Sequence, residues 1–313
     1  MTTALITHPD GLQHITPPGH PERVDRLMAI YAAIDGMDQT GLRRVEAPMG
    51  TDEAILRCHP QSHIDAVTEA APAEGTVALD ADTHMSPGSL RAAYRGVGAM
   101  TTAVDIVIKG DVQNAFAAMR PPGHHAEKTT PMGFCLFGNI AIAAKHALDV
   151  HGLERVAIVD FDVHHGNGTQ DLLWDEERTL FISSHQMPLY PGSGAPSERG
   201  AHENILNVPL DPHTGGVELR LAYERMVFPA LDEFKPQLVL ISAGFDAHRN
   251  DPLANLNWDE ADFTWVTEQL CDVADTYAQG RVVSTLEGGY DLDGLAASTR
   301  AHLQVLIQRG THG

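Results

Sequence analysis

Asp160, Asp162 and His164, in the run Val159-Asp-Phe-Asp-Val-His-His-Gly-Asn-Gly168, bring together carboxylates and an imidazole, the side chains that hold divalent cations and move protons. They close an apolar stretch, Arg155 to Phe161, that reads as a buried strand. In an extended chain every second side chain points the same way, so the three share one face and can converge on a cation just beyond the strand end. A polar loop whose Asp and His only cap a helix opening near Gly166 would use the same residues. Two further segments weigh against that reading. Leu238-Val-Leu-Ile-Ser-Ala-Gly-Phe-Asp246 is a second strand-like run ending on a carboxylate, and Asn114 to Met119 is a third that leads into Arg120-Pro-Pro-Gly-His-His125. In open α/β sheets, ligands gather at the carboxyl ends of strands.

If Asp162, His164 and Asp246 hold one divalent ion, a coordination position remains for water and a substrate carbonyl, which makes the site catalytic rather than structural. Attack by water needs a base, and His124 and His125 offer two imidazoles, with Asp160 and Asn167 placed to orient them. A further strand end, Leu286-Glu-Gly-Gly-Tyr-Asp291, allows a tight turn that aims the Tyr290 hydroxyl inward as an oxyanion donor; an ordinary turn with a surface Tyr is the alternative.

The elements that must position these groups alternate between short β-rich runs and longer segments of helical period, the pattern of βα units around a mostly parallel sheet. Eight strands are predicted, at Thr3 to Thr7, Arg43 to Ala47, Asn114 to Met119, Arg155 to Phe161, Thr179 to Ser184, Ile205 to Pro209, Leu238 to Ala243 and Arg281 to Leu286. Helices are predicted at Glu22 to Ile34, Gln61 to Ala70, Ser89 to Ile108, Ile140 to Val150, Val217 to Phe234, Trp258 to Tyr277 and Leu292 to Ile307. No linker or repeat divides the chain, so residues 1–313 are expected to form a single catalytic domain.

Composition sets the outer bounds. With 43% apolar residues in 313, the chain can bury a large core. No run reaches the roughly 18 to 20 apolar residues of a membrane span. The first residues lack a basic segment and a cleavage site, and three scattered cysteines, Cys58, Cys135 and Cys271, make neither a disulfide framework nor a CxxC site, so a cytoplasmic location is expected. A formal charge of −21 argues against direct nucleic-acid binding and favours cationic ligands. Nothing in the sequence specifies an oligomeric state.

Taken together, Gly19-His-Pro-Glu-Arg23, Arg120-Pro-Pro-Gly-His-His-Ala126, Gly133-Phe-Cys135, Asp160-Phe-Asp-Val-His-His-Gly-Asn-Gly168, Gly244-Phe-Asp246, Asp251-Pro252 and Glu287-Gly-Gly-Tyr290 resemble the zinc-dependent histone deacetylase superfamily, which includes acetoin-utilisation proteins and acetylpolyamine amidohydrolases. The resemblance spans nearly the whole chain and implies the arginase/deacetylase α/β fold. It implies that Asp162, His164 and Asp246 bind Zn²⁺, or Fe²⁺ in cells, that His125 is the base and then the acid, and that His124 is its electrostatic partner on Asp160. Asn167, the residue of the class II-type branch, would orient His125, and Tyr290 would polarise the scissile carbonyl. By the same resemblance Gly133 offers its carbonyl to the substrate amide, Phe134 and Tyr190 wall an acyl-lysine channel, and a structural K⁺ sits on Asp160, Asp162, His164 and Ser183. Asp82 matches a rim carboxylate that grips substrate, or else starts a helix.

The substrates implied are acyl-lysine or a small acyl amide. Three rival readings are weighed. A ureohydrolase of the arginase type builds a two-metal site from D-x-H-x-D and D-x-D segments, but here His165 and Gly166 follow His164 and Gly244 precedes Phe245-Asp246. Acetylpolyamine hydrolases of the eukaryotic type carry an acidic residue where this chain has Leu253, which favours an acyl-lysine-like or neutral amide. A catalytically silent binding protein would lack a ligand, the base or the Tyr, and all are present. Of the remaining histidines, His59 and His63 are expected to be structural, while His8, His14, His185, His202 and His248 are expected on exposed loops.

Overall fold

The computed structural model describes residues 2–311. Its eight-stranded sheet comprises β1 (Thr3–Thr7), β2 (Leu42–Glu46), β3 (Asn114–Ala117), β4 (Val156–Asp160), β5 (Thr179–Gln186), β6 (Ile205–Leu210), β7 (Leu238–Ala243) and β8 (Val282–Leu286). The order across the sheet is β2-β1-β3-β8-β7-β4-β5-β6, and every neighbouring pair runs parallel. All eight predicted strands are present, with ends shifted by a few residues.

Parallel strands need both faces covered, and the sequence supplies apolar side chains to both. In β4, Ala157 and Val159 join the core on one face while Val156 and Ile158 join the core on the other; in β7, Val239 and Ile241 alternate in the same way with Leu238 and Leu240. The first face is covered by the helices Val24–Asp35, Glu260–Tyr277 and Leu292–Thr311, through Leu27, Phe263, Leu270 and Leu303. The second is covered by Gln61–Ala70, Ser89–Ile108 and Asn139–Asp149, through Ile64, Val97, Val104 and Ile140. Two boundaries depart from expectation for local reasons. The helix expected from Trp258 begins at Glu260, because Asp259 and Asp262 form a reciprocal capping box. The helix expected as one run from Val217 widens into a π turn at Tyr223–Val227, just ahead of Pro229, which has no N–H to donate.

The topology sorts the chemistry. β3, β8, β7 and β4 are adjacent at the centre of the sheet, and the loops leaving their carboxyl ends carry His124 and His125, Glu287 to Tyr290, Asp246, and Asp160 to His164 respectively. Residues far apart in sequence thus meet at one edge. A separate two-stranded ribbon, Val77–Ala78 with His84–Met85, folds the Asp80 to Thr83 loop over that edge. Among the described residues no helix is long and apolar enough to cross a membrane.

The histidines correct a sequence-based expectation. His8, His14, His185 and His248 are buried rather than exposed; His202 is exposed. Each buried one finds a polar partner: His14 Nδ1 meets Ser89 Oγ, 75 positions away, at 2.7 Å, while His185, on β5, meets Ser183 Oγ two residues back at 2.9 Å. His59 and His63 are structural as expected, stacked at 4.4 Å, with His59 Nε2 accepting from the Gly138 N–H. His302, in the core, bonds Thr267 Oγ1 and Ser284 Oγ, both at 2.8 Å, and burial pulls it down to about 3.

That value fixes the sign of a stability effect. In the unfolded chain a histidine takes a proton as pH falls through about 6.5, while folded His302 stays neutral, so its contribution is full above that pH and is lost below it. Replacing His302 with Asn removes this one group, and the stability of His302→Asn relative to wild type should rise by about 1.4 kcal/mol for each pH unit between pH 6 and 5. Urea midpoints of the two proteins across that interval check it; a constant difference contradicts it.

Candidate metal and amide-binding site

The chain leaves extended geometry at Asp160 rather than running straight to His164. The expectation that strand alternation places Asp160, Asp162 and His164 on one face is therefore corrected. Asp160 Oδ1 accepts from the Asp162 N–H at 3.1 Å, and Asp162 Oδ1 accepts from the His164 N–H at 2.9 Å. These side-chain-to-backbone bonds favour turns over strand and curl the segment across the sheet end. On β7 the chain turns at Gly244, and Asp246 Oδ1 accepts from the Val163 N–H at 2.8 Å, tying the two loops together.

The result is a buried cluster in which one atom each of Asp162, His164 and Asp246 lies within 4.8 Å of the others. His164 Nδ1 stands 3.1 Å from Asp162 Oδ1 and 3.1 Å from Asp246 Oδ2. Backbone closes in around the carboxylates. A Cβ on Gly244 would sit 2.0 Å from Asp162 Oδ2, and one on Gly288 would sit 2.1 Å from Asp246 Oδ2. The Gly288 N–H donates to Asp162 Oδ2 at 2.8 Å. Burial pushes Asp246 up to about 7, Asp160 to about 6 and Glu287 to about 7. Burial also works against charge on His164, but hydrogen bonds to Asp162 and Asp246 override it and push the imidazole up to about 10. Two carboxylates with one imidazole match the donor set of an open three-ligand divalent site.

The paired histidines lie alongside, their rings 3.9 Å apart. His124 Nδ1 contacts Asp160 Oδ2 at 2.9 Å. Burial opposes its charge, yet Asp162 and Asp160 hold it well above the ordinary imidazole value. His125 Nδ1 contacts Asn167 Oδ1 at 2.7 Å. The amide's orientation is set by Asn167 Nδ2, which donates to Glu127 Oε1 at 2.8 Å, so Oδ1 accepts from Nδ1–H and leaves Nε2 of His125 as the acceptor. Burial and then the charge of His124 keep His125 well below its ordinary value, and hence neutral. Gly133, with φ at 54°, packs its Cα against this ring; a Cβ there would lie 2.5 Å from the imidazole.

A channel of about 360 Å³ leads to this cluster, lined at depth by His125, His164, Gly133 and Tyr290, along its walls by Phe134, Tyr190 and Leu189, and at its mouth by Asp82, His20, His84 and Leu253. The ring centroids of Phe134 and Tyr290 are 5.9 Å apart in an edge-to-face pair, and those of Tyr190 and His125 are 5.2 Å apart in another. Burial raises the Tyr290 hydroxyl well above its ordinary value despite Arg26, which lies 4.9 Å over its ring, so it remains a donor at neutral pH. Asp82 lies in the loop at the channel mouth and not at a helix start, since the helix that follows begins at Ser89. Ser183 is buried in β5 as the register partner of Asp160. The structure thus places the sequence-derived site residues in the cluster, in contact with it or along the channel, except Ser183, which lies beside Asp160 on the neighbouring strand with its hydroxyl on His185.

Several supports had no signal in spacing. Glu287 Oε2 accepts from the Gly123 N–H at 2.7 Å and the His124 N–H at 3.2 Å, holding the histidine turn. Asp251 Oδ2 accepts from the Tyr290 N–H at 2.7 Å, and Arg26 donates to the Gly289 and Glu287 carbonyls, both at 2.6 Å. Glu22 anchors Arg26 and also pairs with Arg120 and His14. His20 and His84 line the mouth although neither was singled out; the motif Gly19-His-Pro-Glu-Arg23 was the available pointer to the first.

The chain resembles known proteins over nearly its whole length. The profile of the Histone deacetylase domain matches residues 20–306. The chain is 40% identical over 278 residues to a histone deacetylase-like amidohydrolase of Pseudomonas aeruginosa, covering 87% of this chain and 73% of that protein. It is 35% identical over 303 residues to a probable deacetylase of Archaeoglobus fulgidus, covering 94% and 83%. The crystal structure of the HDA15 HD domain superposes with a TM-score of 0.93 at 35% identity, covering 98% of this chain and 88% of the other. The chain belongs to the histone deacetylase family, a family of deacetylases and related amidohydrolases.

The glycine cradle can be tested directly. Gly288→Ala should weaken divalent-metal binding by about tenfold or more, the scale of losing support around a metal ligand, and destabilise the fold by about 1–3 kcal/mol through overpacking. Metal titration and urea unfolding of the variant measure both; wild-type values for each would show that the carboxylates tolerate the intrusion.

Proposed function

We propose that the protein is a metal-dependent amidohydrolase that removes an acyl group from an acyl-lysine-like or small acyl amide. The observation that carries this reading is the meeting, at the closed end of one channel, of the Asp162, His164 and Asp246 donor set with a neutral His125 and the hydroxyl-bearing Tyr290. Zn²⁺ suits these donors, with Fe²⁺ as the alternative, and a divalent ion held there would polarise a substrate carbonyl and acidify a water. His125 Nε2 would take the proton as that water attacks and return it to the departing amine. His124, charged and fixed on Asp160, would stabilise the negative charge that develops, and Tyr290 would donate its O–H to the carbonyl oxygen. Gly133 would offer its carbonyl to the substrate N–H, between walls of Phe134 and Tyr190. A structural K⁺ is proposed behind the cluster, on Asp160, Asp162, His164 and Ser183, supported by the pairing of Asp160 with Ser183 across β4 and β5. The three free and buried cysteines accord with a cytoplasmic setting.

Chelator-treated protein reloaded with Zn²⁺ and assayed on an acetyl-lysine peptide tests the reading. Tyr290→Phe should keep its metal and lose on the order of 10² to 10³ in kcat, the scale for one oxyanion donor. Wild-type turnover by this variant would remove Tyr290 from the reaction.

Acetylpolyamine hydrolysis has one observation in its favour. Although Leu253 is apolar, Asp82 stands at the same mouth, half-buried and raised by burial and by Asp80. With Leu253 dominant, acyl-lysine or neutral amides are preferred, and Leu253→Glu should shift kcat/KM toward acetylspermidine by about tenfold, or about 1.4 kcal/mol. A wild-type preference for acetylpolyamines over all acyl-lysine and neutral amides would assign the dominant influence to Asp82.

A further inference from the structure

A second set of metal-type side chains meets at the opposite edge of the sheet, where strands begin. Asp105 lies near the end of the helix Ser89–Ile108, His146 in the last turn of Asn139–Asp149, and His151 in the turn between that helix and β4. The Nε2 atoms of His146 and His151 both stand 2.7 Å from one oxygen, Asp105 Oδ1. The rings are inclined at 74° with centroids 5.4 Å apart, so the imidazoles approach the carboxylate from different directions. All three donor atoms fall within 4.8 Å of one another.

This grouping has the features of a cation site. Two imidazole nitrogens and one carboxylate oxygen are a three-protein-ligand set for Zn²⁺ or a similar ion. The imidazoles are 14% exposed and the Asp105 side chain 34%, so the rings are packed in place while the carboxylate reaches solvent. The donors come from two helices and a turn held by the core, which removes much of the ordering cost of binding. A tetrahedral ion with bonds of about 2.1 Å separates its donors by about 3.4 Å, so Oδ1 and each Nε2 need to part by about 0.7 Å, within the reach of small side-chain rotations. The overall charge of −21 concentrates cations around the surface.

We propose that Asp105, His146 and His151 form a second divalent-cation site of the zinc type, distinct from the channel, which clamps the end of the Asn139–Asp149 helix and the approach to β4 against the Ser89–Ile108 helix. Its role is structural. β4 is the strand that delivers Asp160 and the ligand loop to the opposite edge, so an ion here braces the start of the strand whose end carries the chemistry.

The test uses the whole 313-residue chain with one equivalent of Zn²⁺ already in place, titrated with further Zn²⁺ by calorimetry and melted with and without excess Zn²⁺. A second equivalent should bind and raise the Tm. His151→Ala, at a surface turn, and Asp105→Asn, which keeps an oxygen to accept from both imidazoles, should each weaken that equivalent by about tenfold or more and erase the Tm increase while retaining the first. Absence of a second event, a flat wild-type Tm, or a second event that persists equally in both variants would overturn the proposal and leave the trio as a hydrogen-bonded staple without metal. Because the readout is binding and melting, the outcome is independent of whether amide hydrolysis is the reaction in the channel.

Discussion

Four carboxylates, Asp160, Asp162, Asp246 and Glu287, are buried together at one edge of a parallel sheet, and most of the surrounding structure answers the cost of putting them there. Unpaired buried charge is expensive enough that such groups must be hydrogen-bonded, paired with cations or neutralised. Each of the four is engaged by backbone N–H groups or by a histidine: Asp160 by Asp162 N and His124, Asp162 by His164 N and Gly288 N, Asp246 by Val163 N and His164, Glu287 by Gly123 N and His124 N. The same bonds shape the loops, so the demand for charge compensation and the geometry of the site are one constraint. The glycines at 244 and 288 follow from it, since backbone can approach these oxygens only where no Cβ intervenes.

The supporting layer meets the same problem one step further out. Glu22 is fully buried and receives Arg26, Arg120 and His14, and through Arg26 this network grips the carbonyls of Glu287 and Gly289. Removing one member of such a network leaves the others buried and unpaired, which is costlier than never having built it. The turn that presents Tyr290 is therefore held by Arg26 at the Gly289 carbonyl and by Asp251 at the Tyr290 N–H, two contacts that restrain the hydroxyl without touching it.

How far the sequence revealed this depended on whether the signal was local. The strands were legible because apolar runs of the right length are bounded by turn residues, and the ligand types were legible because they sit just past those runs. Strand order was not: β3, β8, β7 and β4 are neighbours only through crossovers, and no local pattern places Tyr290 beside His125. Arg26 and Gly289 are 263 positions apart, and Glu22 and Arg120 are 98 apart, so their pairing carries no spacing signature. His14 misled for a related reason, since it resembles a loop residue until Ser89, 75 positions away, is placed beside it, whereas His185 is carried by β5 itself, which runs past its predicted end at Ser184. For Asp160 to His164 the right residues were found by the wrong geometry, since side-chain-to-backbone turns took over where strand alternation was expected to continue.

The division of labour between His124 and His125 shows how little separates an imidazole that holds a proton from one that accepts it. The rings are 3.9 Å apart in equally buried surroundings, and they are displaced in opposite directions. What differs is the carboxyl groups each ring faces: His124 has Asp162 beside Nε2 and Asp160 on Nδ1, whereas the Nδ1 of His125 faces a neutral amide, Asn167. An amide can orient the ring but contributes no net charge, so the pull of Asp162 is left without the further offset that would balance burial and the repulsion from His124. A carboxylate at position 167 would supply that offset, drawing His125 toward its charged form and making it a poorer acceptor. Glu127 completes the arrangement by holding the Asn167 amide in the one orientation that presents oxygen to Nδ1, which leaves the lone pair of Nε2 directed away from the support and available at the closed end of the channel.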